Sequence, residues 1–488
     1  LIDSLAGSEY LVNTATAKIS FNNSYCTNAP SADKWMGDFN GDGNIDLVCG
    51  LNMDDYFIFY GPLSSNMTPS VNISKPGNVR FGTYMGAGDV NNDSYDDLVI
   101  SDWRDPIPGT EEGVAYVIYG AAQQLPSVWD ININAPNITI YPEPTRTVDF
   151  GTSIAGHTDF NGDGVEDIIV GDYTTEYIFY GVAGLPSIIN ISAGYKANVT
   201  INNFTGTSSF GSGDFNGDGK QDLTGTRWND NGFEMFYGAS SNSPYEQNAS
   251  NFSVTGPGTN SYIGMEGGYG DAIFVDVNND SYDDLVIGSS FNSSYIFYGG
   301  NWAEYTQIDL SANPLAANVT IWRNITVSLP FAGGDLNKDN YEDFILGYWT
   351  DNSYGNSAGT WYVIYGSANL PSEISLDGPN FGGNVTFHGS DDDNLIAKSI
   401  VDIDNDGKND ILFFGKDDLG KDANYTTVYV VDFNLTYYLE GNYTSNVLDA
   451  TAQARWDNIS WTETNQTALD NISMEYRTSN DNSNWLTW

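Results

Sequence analysis

The sequence predicts an all-β fold: a seven-bladed β-propeller of four-stranded blades, followed by a small β-sandwich-like segment. Two observations lead to this prediction. An Asp-rich motif of nine residues occurs seven times, with starts 51 to 70 residues apart. Short apolar and aromatic runs with strand character surround each copy. Repetition at this period, with about four strands per repeat, is typical of propeller blades.

The motif has the form Asp-x-Asn/Asp-x-Asp-x-x-x-Asp. We number its positions one to nine and its copies loop one to loop seven. The copies are DFNGDGNID from Asp38, DVNNDSYDD from Asp89, DFNGDGVED from Asp159, DFNGDGKQD from Asp214, DVNNDSYDD from Asp276, DLNKDNYED from Asp335 and DIDNDGKND from Asp402.

Each copy has the same surroundings. An apolar and small-residue stretch precedes it, and a branched apolar run such as LVIS or IIVG follows directly. Ten to twenty residues later, most repeats have an aromatic segment that ends in Tyr-Gly, as in YIFYG at residues 177–181 and 295–299. A fourth run, typified by NVTI at Asn198 and Asn318, precedes the next repeat. Runs of β-branched and aromatic residues between Gly, Asn and Asp indicate strands.

The spacing of oxygen-bearing residues in each loop suits calcium, which takes about six to eight oxygen ligands at about 2.3–2.6 Å. Side chains at positions one, three, five and nine, with the carbonyl of position seven, can enclose one ion. The predicted ligands are Asp38, Asn40, Asp42, Asn44, Asp46, Asp89, Asn91, Asp93, Tyr95, Asp97, Asp159, Asn161, Asp163, Val165, Asp167, Asp214, Asn216, Asp218, Lys220, Asp222, Asp276, Asn278, Asp280, Tyr282, Asp284, Asp335, Asn337, Asp339, Tyr341, Asp343, Asp402, Asp404, Asp406, Lys408 and Asp410.

Position six turns sharply, and we expect a positive φ there. Glycine suits this conformation and Asn340 tolerates it, whereas Ser94 and Ser281 fit it less well. Asp, Asn and Gly also favour plain turns. Turn formation alone does not require oxygen-bearing side chains at the same four positions in seven copies. An EF-hand would need Glu at position twelve and flanking helices, but position twelve here is apolar in loops one to three.

Residues 31–433 resemble the FG-GAP repeat family, best known from the propellers of integrin α subunits. The resemblance rests on FGTYMGAGDVNNDSYDDLVI, FGTSIAGHTDFNGDGVEDIIVG and FGSGDFNGDGKQDL. It implies that each calcium loop joins the two innermost strands of its blade, on one face of the disc. Metal motifs in every blade are similar to those of bacterial and archaeal surface members of the family.

The two ends of the chain differ from the repeats. Because the last blade is one strand short, we expect residues 11–21 to supply its outer strand and to close the ring, which removes exposed edges. We therefore place the propeller at residues 1–433. Residues 434–488 are expected to begin a β-sandwich-like module, because they alternate polar and apolar residues around four tryptophans.

Charge and sequence motifs indicate a protein outside the cell. The chain has 17 basic and 64 acidic residues, a formal charge of −47, which excludes nucleic acid and anionic membrane surfaces as expected partners. No apolar run approaches the ~20 residues of a membrane-spanning helix. Cys26 and Cys49 form either a disulfide or two free core thiols. Predicted glycan acceptors are Asn66, Asn72, Asn137, Asn190, Asn198, Asn203, Asn318, Asn324, Asn384, Asn434, Asn458 and Asn471.

The sequence offers no Ser-His-Asp constellation, Cys/His cluster or phosphate loop, so we expect no enzyme activity. The expected function is that of an extracellular calcium-binding glycoprotein, acting in adhesion or binding, or as part of a surface layer or filament. The alternative is the accessory propeller of a larger secreted hydrolase or lyase. The ligand, protein or carbohydrate, and assembly with further copies of the chain are left open.

Overall fold

The computed structural model describes residues 8–12, 19–23, 35–50, 55–65, 67–76, 81–103, 113–122, 124–143, 149–172, 174–202, 211–227, 232–241, 244–257, 263, 272–289, 293–313, 315–323, 329–348, 351–377, 384–390, 394–416, 426–432, 477–478 and 486–487. The chain divides into two compact units, Leu1–Leu435 and Thr436–Trp488. In the second unit the described residues form one antiparallel pair, β35 (Arg477–Thr478) and β36 (Leu486–Thr487).

The first unit is a seven-bladed β-propeller, as the repeats predict. Each blade contains four successive antiparallel strands. From the first strand to the outer strand, blades one to three are β3 (Met36–Gly37), β4 (Asp46–Gly50), β5 (Asp55–Phe59), β6 (Val71–Ser74); β7 (Phe81–Gly88), β8 (Asp97–Asp102), β9 (Val114–Ile118), β11 (Ile138–Tyr141); and β12 (Ser153–Ala155), β13 (Ile168–Gly171), β14 (Thr175–Phe179), β16 (Val199–Asn202).

Blades four to seven repeat this order. They are β17 (Ser212–Gly213), β18 (Asp222–Arg227), β19 (Gly232–Phe236), β21 (Phe252–Thr255); β22 (Ala272–Val275), β23 (Asp284–Gly288), β24 (Ser293–Phe297), β26 (Val319–Trp322); β27 (Leu329–Gly334), β28 (Asp343–Tyr348), β29 (Thr360–Ile364), β31 (Val385–His388); and β32 (Ile396–Val401), β33 (Asp410–Lys416), β34 (Thr426–Asp432), β2 (Ile19–Asn23). Each Tyr-Gly segment lies at the end of a third strand, and the NVTI runs lie at β16 and β26, as predicted.

Within the described residues, a fifth, parallel strand that the sequence analysis did not predict extends six of the seven sheets. Five of these strands come from the next repeat, in the connection between that repeat's third and fourth strands, and the sixth comes from the N-terminal segment. For example, β10 (Val128–Asp130) follows β9 of blade two but pairs with β6 of blade one. The other fifth strands are β15 (Ile188–Asn190), β20 (Tyr245–Gln247), β25 (Thr306–Asp309), β30 (Glu373–Ser375) and β1 (Ser8–Leu11).

The N-terminal segment closes the ring, as expected, but with two strands in place of one. β2 pairs antiparallel with β34 of blade seven, with Ile19 opposite Val430. β1 instead pairs in parallel with β31 of blade six, with Ser8 opposite Val385. Leu11 therefore belongs to blade six, and the predicted strand at residues 11–21 was too long at its start.

The hydrophobic core lies between successive blades. Each cluster of buried apolar side chains combines neighbouring blades, as where Ile169 and Ile178 of blade three pack with Leu223 and Phe236 of blade four. One cluster joins blades seven, one and two and contains the fully buried Trp35. The remaining clusters cover the other blade interfaces. Burial between blades holds each loop beside the next.

Candidate metal centres

All seven Asp-rich loops connect the first and second strands of their blades, the placement that the family resemblance implies. All 35 predicted ligand residues lie in the described part of the chain. The first strands of neighbouring blades contact one another at five of the seven interfaces, so the loops follow each other round one face of the ring.

The position-one carboxylate organises every loop. Its two oxygens accept hydrogen bonds from the backbone N–H groups of positions five and six, at 2.7–3.3 Å in all seven copies. The position-five carboxylate accepts the N–H of position seven in the same way, at 2.9–3.1 Å. Local side-chain to backbone bonds of this kind favour the turn.

Backbone conformation confirms the expected turn at position six. Its φ lies between +70° and +86° in all seven loops, including Ser94 and Ser281. A Cβ added at Gly43 or Gly219 would meet nothing within 4 Å, so the backbone angle alone favours glycine there. Position four, which the sequence analysis did not single out, also has a positive φ, from +55° to +73°.

The position-nine aspartates are buried, with at most 2% of their surface exposed. In loops one to six each accepts two backbone hydrogen bonds. One comes from position two at 2.9–3.2 Å. The other comes from the glycine of the Tyr-Gly segment, or from Gly238 in blade four, at 2.8–2.9 Å. Position nine therefore joins the loop to the end of the third strand.

Burial strongly perturbs these carboxyls in the metal-free protein. It is the largest cause that raises the pKa of Asp97, Asp167, Asp222, Asp284 and Asp343 to about 8. For Asp46 the pKa rises to about 7. Charges at positions one and five of the same loop raise the pKa further, whereas the two backbone hydrogen bonds lower it. In loops one to six, burial thus disfavours the deprotonated form of position nine unless a cation is present.

These pKa values predict how stability changes with pH when no metal is bound. An unfolded aspartate has a pKa of about 3.9, so between about pH 4 and pH 8 the folded state binds more protons than the unfolded state. Stability must then fall as pH rises across this window. We expect protein dialysed free of metal to melt at a higher temperature at pH 5 than at pH 8. In 0.5 M NaCl, which screens surface repulsion, the trend should persist. A flat profile at high salt would contradict it.

Three carboxylates of loop seven converge on one point. One carboxylate oxygen from each of Asp402, Asp404 and Asp410 lies within 4.8 Å of the others. In loops two and three, Nδ2 of the position-three amides, Asn91 and Asn161, donates to the position-nine carboxylate at 3.1–3.3 Å. Oδ1 of Asn278 is buried and accepts no hydrogen bond within the described residues. An all-oxygen set with such an orphaned acceptor fits calcium.

Position eight is the functional position that the sequence analysis missed. Its side chain reaches back to the preceding blade and accepts a hydrogen bond from the backbone N–H of position one there. Asp96, for example, accepts from Asp38 at 2.7 Å. The same contact joins Glu166 to Asp89, Gln221 to Asp159, Asp283 to Asp214 and Glu342 to Asp276. The sequence signal was an acceptor-bearing side chain at position eight in six of the seven loops, but the partner of each lies in another repeat.

An open cavity of about 330 Å³ lies beside these contacts, lined in part by Met36, Asp96, His157 and Ser399. His157 Nε2 lies 2.8 Å from the carbonyl oxygen of Met36, and Nδ1 lies 3.1 Å from Glu166. Burial alone lowers the pKa of His157, but Glu166 and Asp96 raise it to about 9. Its two ring nitrogens thus lie within hydrogen-bond distance of Met36 in blade one and Glu166 in its own loop. We therefore interpret His157 as a link between blades.

The remaining predicted sites are partly described. Cys49 is fully buried in β4 and disulfide-bonded. Cys26 lies outside the described residues, so the pairing stays a prediction. The sequon residues Asn137, Asn198, Asn318 and Asn384 accept the backbone N–H of the Tyr in the Tyr-Gly segment at 2.8–3.0 Å. Asn therefore recurs there for a structural reason as well.

Two further acceptors, Asn72 and Asn190, lie in β6 and β15. The predicted acceptors outside the described residues are Asn66, Asn203, Asn324, Asn434, Asn458 and Asn471. Glycosylation at all twelve positions stays a prediction.

No protein-family model matches the chain. Among solved structures, BBS1N in complex with ARL6DN is similar over 85% of this chain and 96% of that chain, at 10% identity and a TM-score of 0.43. The WD40 domain of Toxoplasma gondii coronin is similar over 85% of both chains, at 9% identity and a TM-score of 0.43. Likenesses this distant say nothing about function, and the propeller assignment rests on the sheets themselves. Among the described residues, no helix has the length and apolar character to cross a membrane.

Proposed function

We propose that this chain is a calcium-binding propeller of the FG-GAP type in which calcium has a structural role in every blade. The observation that supports this most strongly is the repetition of one hydrogen-bonding scheme in seven loops. In each loop it orients the position-one and position-five carboxylates within one nine-residue turn, beside a buried acid at position nine. Uncompensated carboxylates this close repel one another, and a divalent ion removes that repulsion.

We further propose that the protein acts outside the cell, as a glycoprotein with a binding, adhesive or structural role on a surface. The formal charge of −47, the predicted glycan acceptors and the disulfide at Cys49 support this location, because disulfides persist in oxidising compartments. The assigned loop carboxylates serve the metal sites, which favours a binding or structural protein over a catalyst.

Calcium stoichiometry tests the metal sites directly. Native mass spectrometry of protein dialysed against calcium is expected to show about seven bound ions, one for each loop. Asp163→Ala removes an exposed ligand at position five of loop three and should remove one ion while six remain. Glu304→Gln removes the same charge from an exposed acid outside the loops and should leave the count unchanged. Equal loss in both variants, or no specific calcium in either, would refute the proposal.

A further inference from the structure

We propose that the position-eight side chain is a positioning residue for the calcium site of the preceding blade, and that it couples calcium binding between adjacent blades. This inference rests on the proposed calcium sites and assigns a role to residues outside the ligand set. It concerns loops one to five, whose position-one N–H groups are bonded to Asp96, Glu166, Gln221, Asp283 and Glu342.

Two hydrogen bonds form the contact in four of these five interfaces. The position-eight side chain accepts the N–H of position one. The backbone N–H of the same position-eight residue donates to the position-one carbonyl, at 3.0–3.2 Å. Asp283 and Asp214 show the arrangement, with the side-chain bond at 2.7 Å and the backbone bond at 3.2 Å. Two bonds in opposite directions fix the position and the orientation of the position-one backbone.

Position one is the residue whose placement matters most to its loop, because its carboxylate binds the N–H groups of positions five and six. Position eight, in turn, stands between two predicted ligands of its own loop, the position-seven carbonyl and the position-nine carboxylate. An ion that orders one loop therefore orders the acceptor on which the preceding loop depends. Such a coupling between two sites is reciprocal, so each ion raises the affinity of its neighbour's site.

The ring contains a natural exception. Ile45 occupies position eight of loop one and has no polar side-chain atom with which to hold loop seven. Across the interface of blades six and seven, Asn409 donates to the Asp335 carbonyl and does not accept its N–H. Loops six and seven therefore lack the side-chain acceptor that the other five have. Ile45 lines the same cavity as Asp96, so the aspartate of an Ile45→Asp variant would face the cavity that Asp96 faces.

Hydrogen exchange of loop peptides, measured by mass spectrometry at graded free calcium, reads each site separately. In Asp283→Ala we expect the calcium concentration at which residues 214–222 reach half of their maximal protection from exchange to rise about tenfold. A tenfold loss of affinity corresponds to the loss of about one hydrogen bond to a charged group. Asp283→Asn keeps an acceptor oxygen and should restore most of the affinity. Residues 38–46, on the far side of the ring, serve as the internal control. Ile45→Asp should lower the midpoint for residues 402–410.

The outcomes separate this inference from the calcium proposal. If no loop of the unaltered protein gains protection with calcium, the calcium proposal itself fails. If the unaltered loops respond but Asp283→Ala changes only residues 276–284, its own loop, the coupling is refuted. The same holds if Asp283→Ala and Asp283→Asn behave alike. A shift at residues 214–222 that Asp283→Asn rescues, with residues 38–46 unchanged, supports it.

Discussion

Removal of calcium is expected to lower the melting temperature by about 20 °C. At a free concentration one hundred times Kd, each site contributes about 2.7 kcal/mol of stability, or about 19 kcal/mol over seven such sites. Unfolding entropy of about 2.1 cal/mol/K per residue gives about 0.9 kcal/mol/K for the unit Leu1–Leu435. The stability change divided by the unfolding entropy gives the expected shift in melting temperature.

Differential scanning calorimetry in calcium and after chelation measures this change. Calcium added back should restore the original curve, whereas magnesium at the same concentration should restore it only in part, because magnesium demands stricter octahedral geometry and releases its water reluctantly. Chelated protein should also be cleaved faster by proteases at the loops. A melting curve that does not respond to chelation would contradict a structural role for calcium.

The second large effect is expected from Asp222→Ala. Asp222 is fully buried and accepts the N–H groups of Phe215 at 3.1 Å and Gly238 at 2.9 Å. Alanine leaves both buried donors unpaired, at about 1–3 kcal/mol each, so we expect a loss of about 3–5 kcal/mol. This loss should persist without calcium, because the two hydrogen bonds do not involve the metal.

Asp218→Ala provides the matched control in the same loop. The Asp218 side chain is 41% exposed and pairs with Lys220 Nζ at 3.0 Å. Its loss removes a ligand and this partly exposed ion pair, and such pairs contribute only about 0–1 kcal/mol. It should destabilise the protein in calcium and have little effect after chelation. Asp222→Asn, which keeps the size and one acceptor, should lie between the two variants. Denaturant unfolding with and without calcium measures all three. Equal effects of Asp222→Ala and Asp218→Ala in the chelator would refute the dual role of position nine.

The sequence was sufficient to predict those features whose signal lies within one repeat. The nine-residue spacing identified the loops, and the Tyr-Gly segments identified third strands such as β14. The fifth strands escaped because they are short and half-exposed, and their partners lie in another blade. Val128 in β10, for instance, is 58% exposed.

Position eight and the sequon asparagines show a different difficulty. Asp96, Glu166 and Gln221 share only an acceptor oxygen, and their common target is a backbone N–H, which is the same in every residue and leaves no mark on the sequence. Asn198 matches a glycosylation motif, and its hydrogen bond to the Tyr180 N–H adds no sequence feature that would distinguish the two roles. Contacts between repeats and contacts to the backbone are visible only in the folded structure.

The fifth strands have a consequence for how such a ring can change its size. A repeat defined by sequence does not coincide with a blade, because each of repeats two to six contributes four strands to one sheet and an edge strand to the sheet before it. A tandem gene duplication of one such repeat therefore supplies a new blade and, at the same time, the parallel edge strand of its predecessor. Exposed strand edges favour aggregation, and a duplication of this kind adds no blade that lacks its parallel edge strand.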